Sequence, residues 1–377
     1  MAIQVFKAKY EINECLNEIR ECLEAGWTGL GFKTVQFEEA WKKYTGLQNT
    51  HFINSSTIGL YMAIAILKNE YNWKNQDEII TTPITFISTN HAILKSDLKP
   101  VFADIDDTMC LDPKSVKSRI SERTKAVMYV GIGGNMGNYK EIVNICRENG
   151  LKLIIDAAHM SGTRLDGVIP GQEADVVVYS YQAVKNLPTA DSGMICFKDS
   201  RLDEIVRKYS WLGINKDTYA RSSNNGAYKW KYDVDYLGDK GHGNSVMAAI
   251  GLVQLKYLDR DNSYRRQLSK WYQKELDHLK DKIKFVRMEV GCESSCHLFQ
   301  ILVERRDELI QELNKNDIYP GVHYITNTDY KMYSYAKGSC TYADYVSAHV
   351  LSLPMHMYLT YEDVKKICNV ISCFVES

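Results

Sequence analysis

The sequence predicts an α/β protein in which helices cover both faces of a mostly parallel central sheet, with a smaller C-terminal α+β domain. The first observation is that short apolar segments alternate with segments of helical spacing between about residues 50 and 200, a pattern typical of a parallel sheet. The second is that the chain has 377 residues, 45% of them hydrophobic, which is enough for one large core and a smaller one.

The elements of the predicted sheet follow one another in a regular order. Strands are predicted at 78–83, 99–105, 125–132, 151–158, 174–181 and 193–198, and helices at 56–71, 88–96, 113–120 and 138–150. Beyond the sheet, one long helix or a kinked pair is predicted at 246–280, and small-domain elements at 297–303, 306–318 and 362–375. We therefore expect a large domain at 1–255 and a small one at 256–377, with the boundary inside the long helix.

Composition excludes several classes of function. The formal net charge is −1 and the pI about 6.8, so there is no excess of positive charge to hold a nucleic-acid backbone. No apolar run reaches the roughly 20 residues of a membrane span, and the acidic, helical start is unlike a signal peptide. The ten cysteines are scattered, as is usual in a reducing cytoplasm. We expect a cytoplasmic protein that binds neither nucleic acid nor membrane.

A cysteine pair at Cys292 and Cys296, followed by His297, is the one local pattern that resembles a zinc site. No second pair of ligands stands nearby at a zinc-like spacing. Free thiols are the better interpretation, and we expect no metal.

Polar side chains follow the predicted strands, at the edge where ligands of parallel sheets gather. Asn54, Ser55, Ser56 and Thr57 lead from a short apolar strand into a helix. Hydroxyl side chains at this position are ordinary helix caps, and together with free backbone N–H groups they also form an anion site. Phe86 follows the next strand, where it is either a core residue or a ring that covers a cofactor.

Two further strand ends carry ionisable side chains. Asp156 ends the apolar segment "LIID", and His159 lies three residues later. The aspartate is either a helix cap or a buried carboxylate that needs a cationic partner. Ser180 and Lys185 follow the segment "ADVVVY". Lys185 either points to water or is desolvated, which would lower its pKa and free the amine for chemistry.

The combination is more informative than any one residue. A hydroxyl-rich helix start, an aromatic ring, an aspartate, a serine and a lysine appear in this order at successive strand ends. Pyridoxal phosphate requires the same parts: donors for its phosphate, a flat cover for its ring, a carboxylate for its ring nitrogen and an amine for its aldehyde.

The sequence resembles the DegT/DnrJ/StrS-type sugar aminotransferases, pyridoxal-phosphate enzymes of the aspartate aminotransferase fold. The resemblance extends over nearly the whole chain. The motifs that carry it are "GWTGLG", "NSSTIGLYMAI", "TTPITFISTNHAI", "KPVFADID", "RTKAVMYVGIGGN", "LIIDAAH", "YSYQAVKN", "AAIGLVQL", "PGVHY" and "LSLPMH". Each is weak alone, but together and in this order they are specific.

The resemblance implies a role for each matching position. Lys185 would bond to the cofactor and later move a proton, Asp156 would pair with the ring nitrogen, and His159 would lie near the ring hydroxyl. Phe86 would stack on the ring. The phosphate ligands would be Ser56, Thr57 and Ser180.

Substrate and partner contacts are also implied by the resemblance. Trp27 and His323 fall where the family contacts the sugar. The family often has an asparagine that reaches the neighbouring subunit's cofactor phosphate, and the sequence "DKGHGN" places His242 there, with Lys240 two residues before it. Gln182 stands where many members have histidine or tyrosine. Lys185 argues against the branch that replaces this lysine by histidine and catalyses dehydration.

The expected function is transfer of an amino group from glutamate or glutamine to a keto group of a nucleotide-linked deoxysugar, in a homodimer with shared active sites. One alternative is a pyridoxal-phosphate aminotransferase acting on a cyclitol or a small keto acid. Another is a regulatory or binding protein that keeps the fold without turnover. A nucleotide-binding domain, suggested by "GIGGNMGN", is disfavoured because that run lacks a phosphate-binding lysine. The nucleotide, the sugar and the aminated carbon stay open.

Overall fold

The computed structural model describes residues 2–215 and 232–377, which form helices and strands in the expected alternation. The helices are α1 (Ile12–Glu24), α2 (Phe32–Thr45), α3 (Ser56–Glu70), α4 (Ile87–Lys95), α5 (Pro113–Arg119), α6 (Tyr139–Glu148), α7 (Ser200–Tyr209), α8 (Ser245–Leu276), α9 (Arg306–Lys315), α10 (Thr341–His349) and α11 (Tyr361–Glu376). The strands are β1 (Ile3–Gln4), β2 (Asn49–Ile53), β3 (Glu78–Thr81), β4 (Lys99–Phe102), β5 (Thr124–Val130), β6 (Lys152–Asp156), β7 (Arg164–Leu165), β8 (Val176–Ser180), β9 (Gly193–Phe197), β10 (Ile283–Phe285), β11 (Cys292–Glu293), β12 (Phe299–Val303), β13 (Ile318–Tyr319) and β14 (Val350–Leu353).

The central sheet has seven strands in the order β2–β9–β8–β6–β5–β3–β4. Strands β4, β3, β5, β6 and β8 pair in parallel, and only β9 runs against its neighbours. The predicted fold class, a mostly parallel sheet with helices on both faces, is therefore confirmed. The parallel strands bring Val130, Asp156 and Val178 side by side at one edge.

Both faces of the sheet are buried, because adjacent residues of a strand point to opposite faces. In β6, Ile155 packs into the core beneath α2, α6 and α8, whereas Ile154 packs into the core beneath α3, α4 and α7. This double burial explains why the strands read as continuous apolar runs rather than as alternating ones.

Helix α3 approaches the sheet unusually closely. A β-carbon on Gly59 would lie 2.3 Å from Ile53 Cδ1 and 2.8 Å from a methyl carbon of Val178, so any larger residue would have to displace these buried side chains. Ser55 caps the helix by accepting a hydrogen bond from the Ile58 N–H at 3.3 Å. The first turn of α3 is thereby fixed beside the ends of β2 and β8.

The small C-terminal unit is an antiparallel sheet, β10–β12–β14, packed against α9, α11 and the end of α8. Helix α8 is a single helix, which decides between the two expectations for that segment. Ile3 packs into the small core because β1 pairs with β13. The division of the chain at residues 255 and 256 stays a prediction, and the N-terminal strand packs with the small unit.

Two other features bear on the class of protein. Among the helices of residues 2–215 and 232–377, none is both long and apolar enough to cross a membrane. All ten cysteines are free thiols, and only Cys373 is exposed.

Candidate active site

A cavity of about 500 Å³ lies at the carboxyl edge of the central sheet, where β2, β5, β6 and β8 end against the small unit. Eight of the ten residues to which the resemblance gives a role line it: Ser56, Thr57, Phe86, Asp156, His159, Ser180, Lys185 and His323. Trp27 and His242 do not. Of the other residues selected at strand ends, Ser55 also lines the cavity, whereas Asn54 does not, and its Nδ2 donates to the Lys240 carbonyl at 3.0 Å.

Asp156 occupies the floor of this cavity at the end of β6. Its Oδ2 accepts a hydrogen bond from Thr89 Oγ1 at 2.7 Å, and its Oδ1 accepts one from the Ala158 N–H at 3.1 Å. Burial raises the pKa of this carboxyl group, while Thr89, Ala158 and the Lys185 ammonium act in the opposite direction. A buried carboxylate of this kind needs a positive partner in the cavity.

Lys185 lies in the loop that joins β8 to β9. The loop is a tight turn, in which the Lys185 N–H donates to the Gln182 carbonyl at 2.8 Å and the Ala183 N–H donates to the Ala190 carbonyl at 3.0 Å. Withdrawal from water lowers the pKa of Lys185 to about 8, although the Asp156 carboxylate raises it. A substantial fraction of the amine is therefore neutral, and hence nucleophilic, near physiological pH.

His159 is held as a neutral ring beside Asp156 and Lys185. The Gly133 N–H donates to its Nδ1 at 3.2 Å, so the proton of the neutral ring sits on Nε2, which lies 3.2 Å from the Tyr324 hydroxyl. Burial, together with the charge of Lys185, keeps the pKa of His159 well below its ordinary value. The ring can therefore donate a hydrogen bond without carrying charge.

One corner of the cavity suits an anion. Ser56 Oγ is buried there, and the described residues offer it no hydrogen-bond partner. Thr57 and Ser180 line the same cavity. A β-carbon on Gly193 would lie 2.9 Å from the Ser56 nitrogen and 2.5 Å from the Tyr179 carbonyl oxygen, so the glycine of "SGM" is required for β9 to approach this corner. An unpartnered hydroxyl at the start of a 15-residue helix is a ready donor to a phosphate.

Aromatic and histidine side chains form the walls. Phe86 is the cap residue of α4, and 58% of its surface is exposed, so its ring is available to cover a flat ligand. His323 enters from the small unit, with its Nδ1 2.9 Å from Ser352 Oγ. Burial, then the charge of Lys185, lowers the pKa of His323 to about 4.

Several residues that line the cavity, or that contact the side chains lining it, were given no role from the sequence. Tyr324, which contacts His159, directly follows His323 in "PGVHY". Thr89, which contacts Asp156, lies in the segment "TTPITFISTNHAI". Both motifs carry the resemblance, but neither residue is assigned a role by it. His297 and Phe6 also line the cavity. Their positions depend on the packing of the small unit and of the N-terminal segment, which strand ends do not indicate.

Trp27 and His242 lie together in a second cavity of about 330 Å³, which Trp211 and Lys240 also line. The His242 ring is 4.6 Å from the ring of Trp211, and its Nδ1–H donates to the Gly243 carbonyl at 2.7 Å. The two positions that the resemblance assigned to the substrate and to a neighbouring subunit are thus neighbours of one another, outside the first cavity.

Comparison with known proteins gives the same assignment as this geometry. Residues 9–372 match the DegT/DnrJ/EryC1/StrS aminotransferase family. The chain belongs to this family. Its members depend on pyridoxal phosphate, and the protein is accordingly an aminotransferase whose cofactor is pyridoxal 5'-phosphate.

Individual family members match along their full length. The spore coat polysaccharide biosynthesis protein SpsC of Bacillus subtilis is 30% identical, covering 96% of this chain and 95% of its own. A dTDP-4-dehydro-2,3,6-trideoxy-D-glucose 4-aminotransferase of Saccharopolyspora spinosa is 28% identical, covering 96% and 94%. The crystal structure of the aminotransferase TlmJ from Streptoalloteichus hindustanus superposes with a TM-score of 0.91 at 28% identity, covering 99% of both chains.

The side chains present fit this cofactor. An unpartnered buried hydroxyl at Ser56, a buried carboxylate at Asp156 and a desolvated amine at Lys185 share one cavity. These are the donor, acceptor and nucleophile that the three reactive parts of pyridoxal phosphate require.

Proposed function

We propose that this aminotransferase moves an amino group from glutamate or glutamine to a keto group of a nucleotide-linked deoxysugar. The observation that carries the proposal is the meeting of Lys185, Asp156 and His159 in one cavity whose outer wall holds His323. Support for a sugar acceptor comes from the relatives, one of which is named for spore coat polysaccharide and another for a dTDP-linked trideoxysugar.

Lys185 has two tasks in the proposed reaction. Its amine would hold the cofactor covalently until the donor's amino group replaces it. Once released, the amine would accept the proton from the donor's α-carbon and deliver it to the cofactor's former aldehyde carbon, acting as general base and then as general acid. A pKa of about 8 suits both directions, because neither protonation state is rare at neutral pH. Pyridoxal phosphate, when bound, withdraws electrons from the carbon that loses the proton.

Asp156 and His159 would keep the cofactor ring in the protonation state that proton transfer by Lys185 requires. The carboxylate of Asp156 would keep the ring nitrogen of the cofactor protonated, with Thr89 fixing its orientation through the 2.7 Å hydrogen bond. His159 donates from Nε2 towards the Tyr324 hydroxyl, and this pair would face the ring hydroxyl. Phe86 would cover one face of the ring. The phosphate donors would be Ser56, Thr57 and Ser180.

The substrate would enter from the side of the small unit, where His323 would contact the sugar. We further propose that the enzyme is a cytoplasmic homodimer. In it, the second cavity would face the neighbouring subunit, so that Trp27 would reach the sugar and His242 the cofactor phosphate across the interface. The presence of Lys240, His242 and two tryptophans in that cavity supports an anionic ligand with an apolar ring.

A panel of acceptors tests the proposal. Holoenzyme converted to the amine form by glutamate would be offered nucleotide-linked 4-keto and 3-keto deoxysugars, a keto-cyclitol and small keto acids, and return of the cofactor's aldehyde absorbance would be recorded. We expect the fastest return with a nucleotide-linked sugar. A faster return with the cyclitol or a keto acid would replace the proposed acceptor, and no return with any acceptor would favour a protein without turnover.

A further inference from the structure

The side chain that follows Lys185 is buried and bonded in three directions. Asn186 Nδ2 donates to Asn262 Oδ1 and to the Ser295 carbonyl, each at 2.7 Å. Asn186 Oδ1 lies 2.9 Å from His297 Nδ1. The three partners come from α8 and from the segment just before β12, so Asn186 joins the Lys185 loop to two distant parts of the chain.

These contacts fix the orientation of the amide. A backbone carbonyl can only accept a hydrogen bond, so the Ser295 oxygen must face the amide nitrogen of Asn186. The amide oxygen then faces His297 and can only accept from it. His297 therefore carries a proton on Nδ1. Its Nε2 makes no hydrogen bond within the part of the chain that the structure describes, and the ring lines the cavity.

His297 and His159 are consequently held in opposite tautomers. Their ring centroids are 4.3 Å apart, yet His159 is protonated on Nε2 because the Gly133 N–H occupies its Nδ1. Burial is the main cause that keeps the pKa of His297 well below its ordinary value, followed by the repulsion that a proton on His159 would exert and by the charge of Lys185. Two neutral rings, tilted by 33° to one another, avoid the repulsion that two cations would suffer beside Lys185.

The same segment also holds the turn that follows β6. Ser295 Oγ donates to the His159 carbonyl at 2.6 Å, and the Ser295 N–H donates to Thr163 Oγ1 at 3.0 Å. Ser295 thus bonds to the turn that carries His159 and, through its carbonyl, to Asn186. The segment "CESSCH", whose cysteines are free thiols, therefore has a structural role: its Ser295 connects the turn after β6 to Asn186.

We propose that Asn186 is a positioning residue for Lys185, which holds the lysine loop against α8 and the Ser295 segment and keeps His297 in the Nδ1–H tautomer. The inference rests on the proposed role of Lys185. A lysine that alternates between two bonding states needs a backbone that does not move with it, and a buried amide with all three polar contacts satisfied supplies that anchor.

Loss of the anchor should change the titration of Lys185. A loosened loop would admit water, and the amine's pKa would return towards that of an ordinary lysine. In the cofactor-free protein, acetic anhydride labelling across pH, measured on the peptide that contains Lys185, reports this pKa directly. We expect a midpoint near pH 8 for the wild type and one about one pH unit higher for Asn186→Ala.

Asn135→Ala is the matched control. Asn135 is also buried, and its amide makes four hydrogen bonds, to Thr108, Arg287, Met136 and Glu289. Its loss should lower the melting temperature as Asn186→Ala does, but leave the Lys185 midpoint unchanged. Equal midpoints for Asn186→Ala and wild type would overturn the inference. A wild-type lysine with an ordinary midpoint would instead overturn the proposed role of Lys185, and the inference with it.

A pair of variants at His297 tests the tautomer and serves if Asn186→Ala does not fold. Asparagine places an amide N–H near the position of Nδ1, so His297→Asn should keep the Lys185 midpoint near the wild-type value. His297→Ala leaves the Asn186 oxygen without a donor and should raise the midpoint. In the holoenzyme, His297→Ala should lower kcat about tenfold with little change in the KM of the amino donor. Identical behaviour of the two variants would contradict the tautomer assignment.

Discussion

The two cavities differ in what fixes their side chains. In the first, Asp156 is held by Thr89 and His159 by a backbone N–H, all within one chain. In the second, Trp27 and His242 come from segments outside the central sheet. The parallel strands bring Asp156 and His159 to this cavity, because such strands end at one edge of the sheet. The second set was expected only by resemblance, and its proposed use requires a second copy of the chain.

The largest expected effect, and the strongest test that the first cavity differs from the second, comes from removing the charge of Asp156. Asp156→Asn should lower kcat by roughly 10²–10³-fold, the usual cost of losing one preorganised electrostatic contact, since a neutral amide cannot keep the ring nitrogen protonated. Steady-state turnover with saturating donor measures the effect. Thr89→Val, which keeps the carboxylate but removes its 2.7 Å hydrogen bond and the 2.8 Å bond between Thr89 and Thr85, should cost less. A mild effect of Asp156→Asn would mean that the first cavity is not the reaction centre.

The two adjacent serines at the start of α3 should have different effects: Ser56 on cofactor binding and Ser55 on stability. Ser56→Ala should weaken binding of pyridoxal phosphate by roughly tenfold, because it removes one donor to a charged group, and should leave the stability of the cofactor-free protein unchanged. Ser55→Ala should lower that stability by about 1 kcal/mol through loss of the helix cap, with affinity near wild type. Fluorescence titration and urea unfolding distinguish the two, and the reverse pattern would contradict the phosphate assignment.

Mixed dimers test whether the second cavity serves a neighbour. Equal amounts of Lys185→Ala and His242→Ala protein, each nearly inactive alone, would be unfolded and refolded together. If His242 acts across the interface, half of the dimers contain one intact site, which restores about a quarter of wild-type activity. If His242 acts only within its own chain, no site is intact. Activity that stays at the level of the separate variants would rule out the shared site.

The smallest expected effect is on stability of the cofactor-free protein as a function of pH. The folded pKa of Lys185 is lowered from 10.5 to about 8, so the cost of holding its charge in the cavity is complete below pH 8 and disappears by about pH 10.5. Lys185→Met should therefore be more stable than wild type at pH 7, with an advantage that shrinks across this interval. Denaturant unfolding at a series of pH values measures it, and a constant difference would contradict desolvation of Lys185.

Much of the first cavity could be predicted from the sequence because its chemistry sits at strand ends. The apolar strands indicate where the ends lie: Asp156 is the last residue of β6, and Lys185 lies in the loop that follows β8. Tyr324, His297 and Asn186 could not be found in this way. They reach the cavity through packing of the small unit and through hydrogen bonds that span up to 165 residues of sequence. The location of His242 depends on tertiary structure in the same way.

The most direct test of the central claim is an absorbance spectrum of the purified protein with pyridoxal phosphate, before and after addition of glutamate. We predict a retained visible band that shifts to the amine form with glutamate, with borohydride fixing the cofactor on the peptide that contains Lys185, and loss of this linkage in Lys185→Ala. A protein that stays colourless, or a cofactor fixed on another lysine, would contradict the assignment of this cavity.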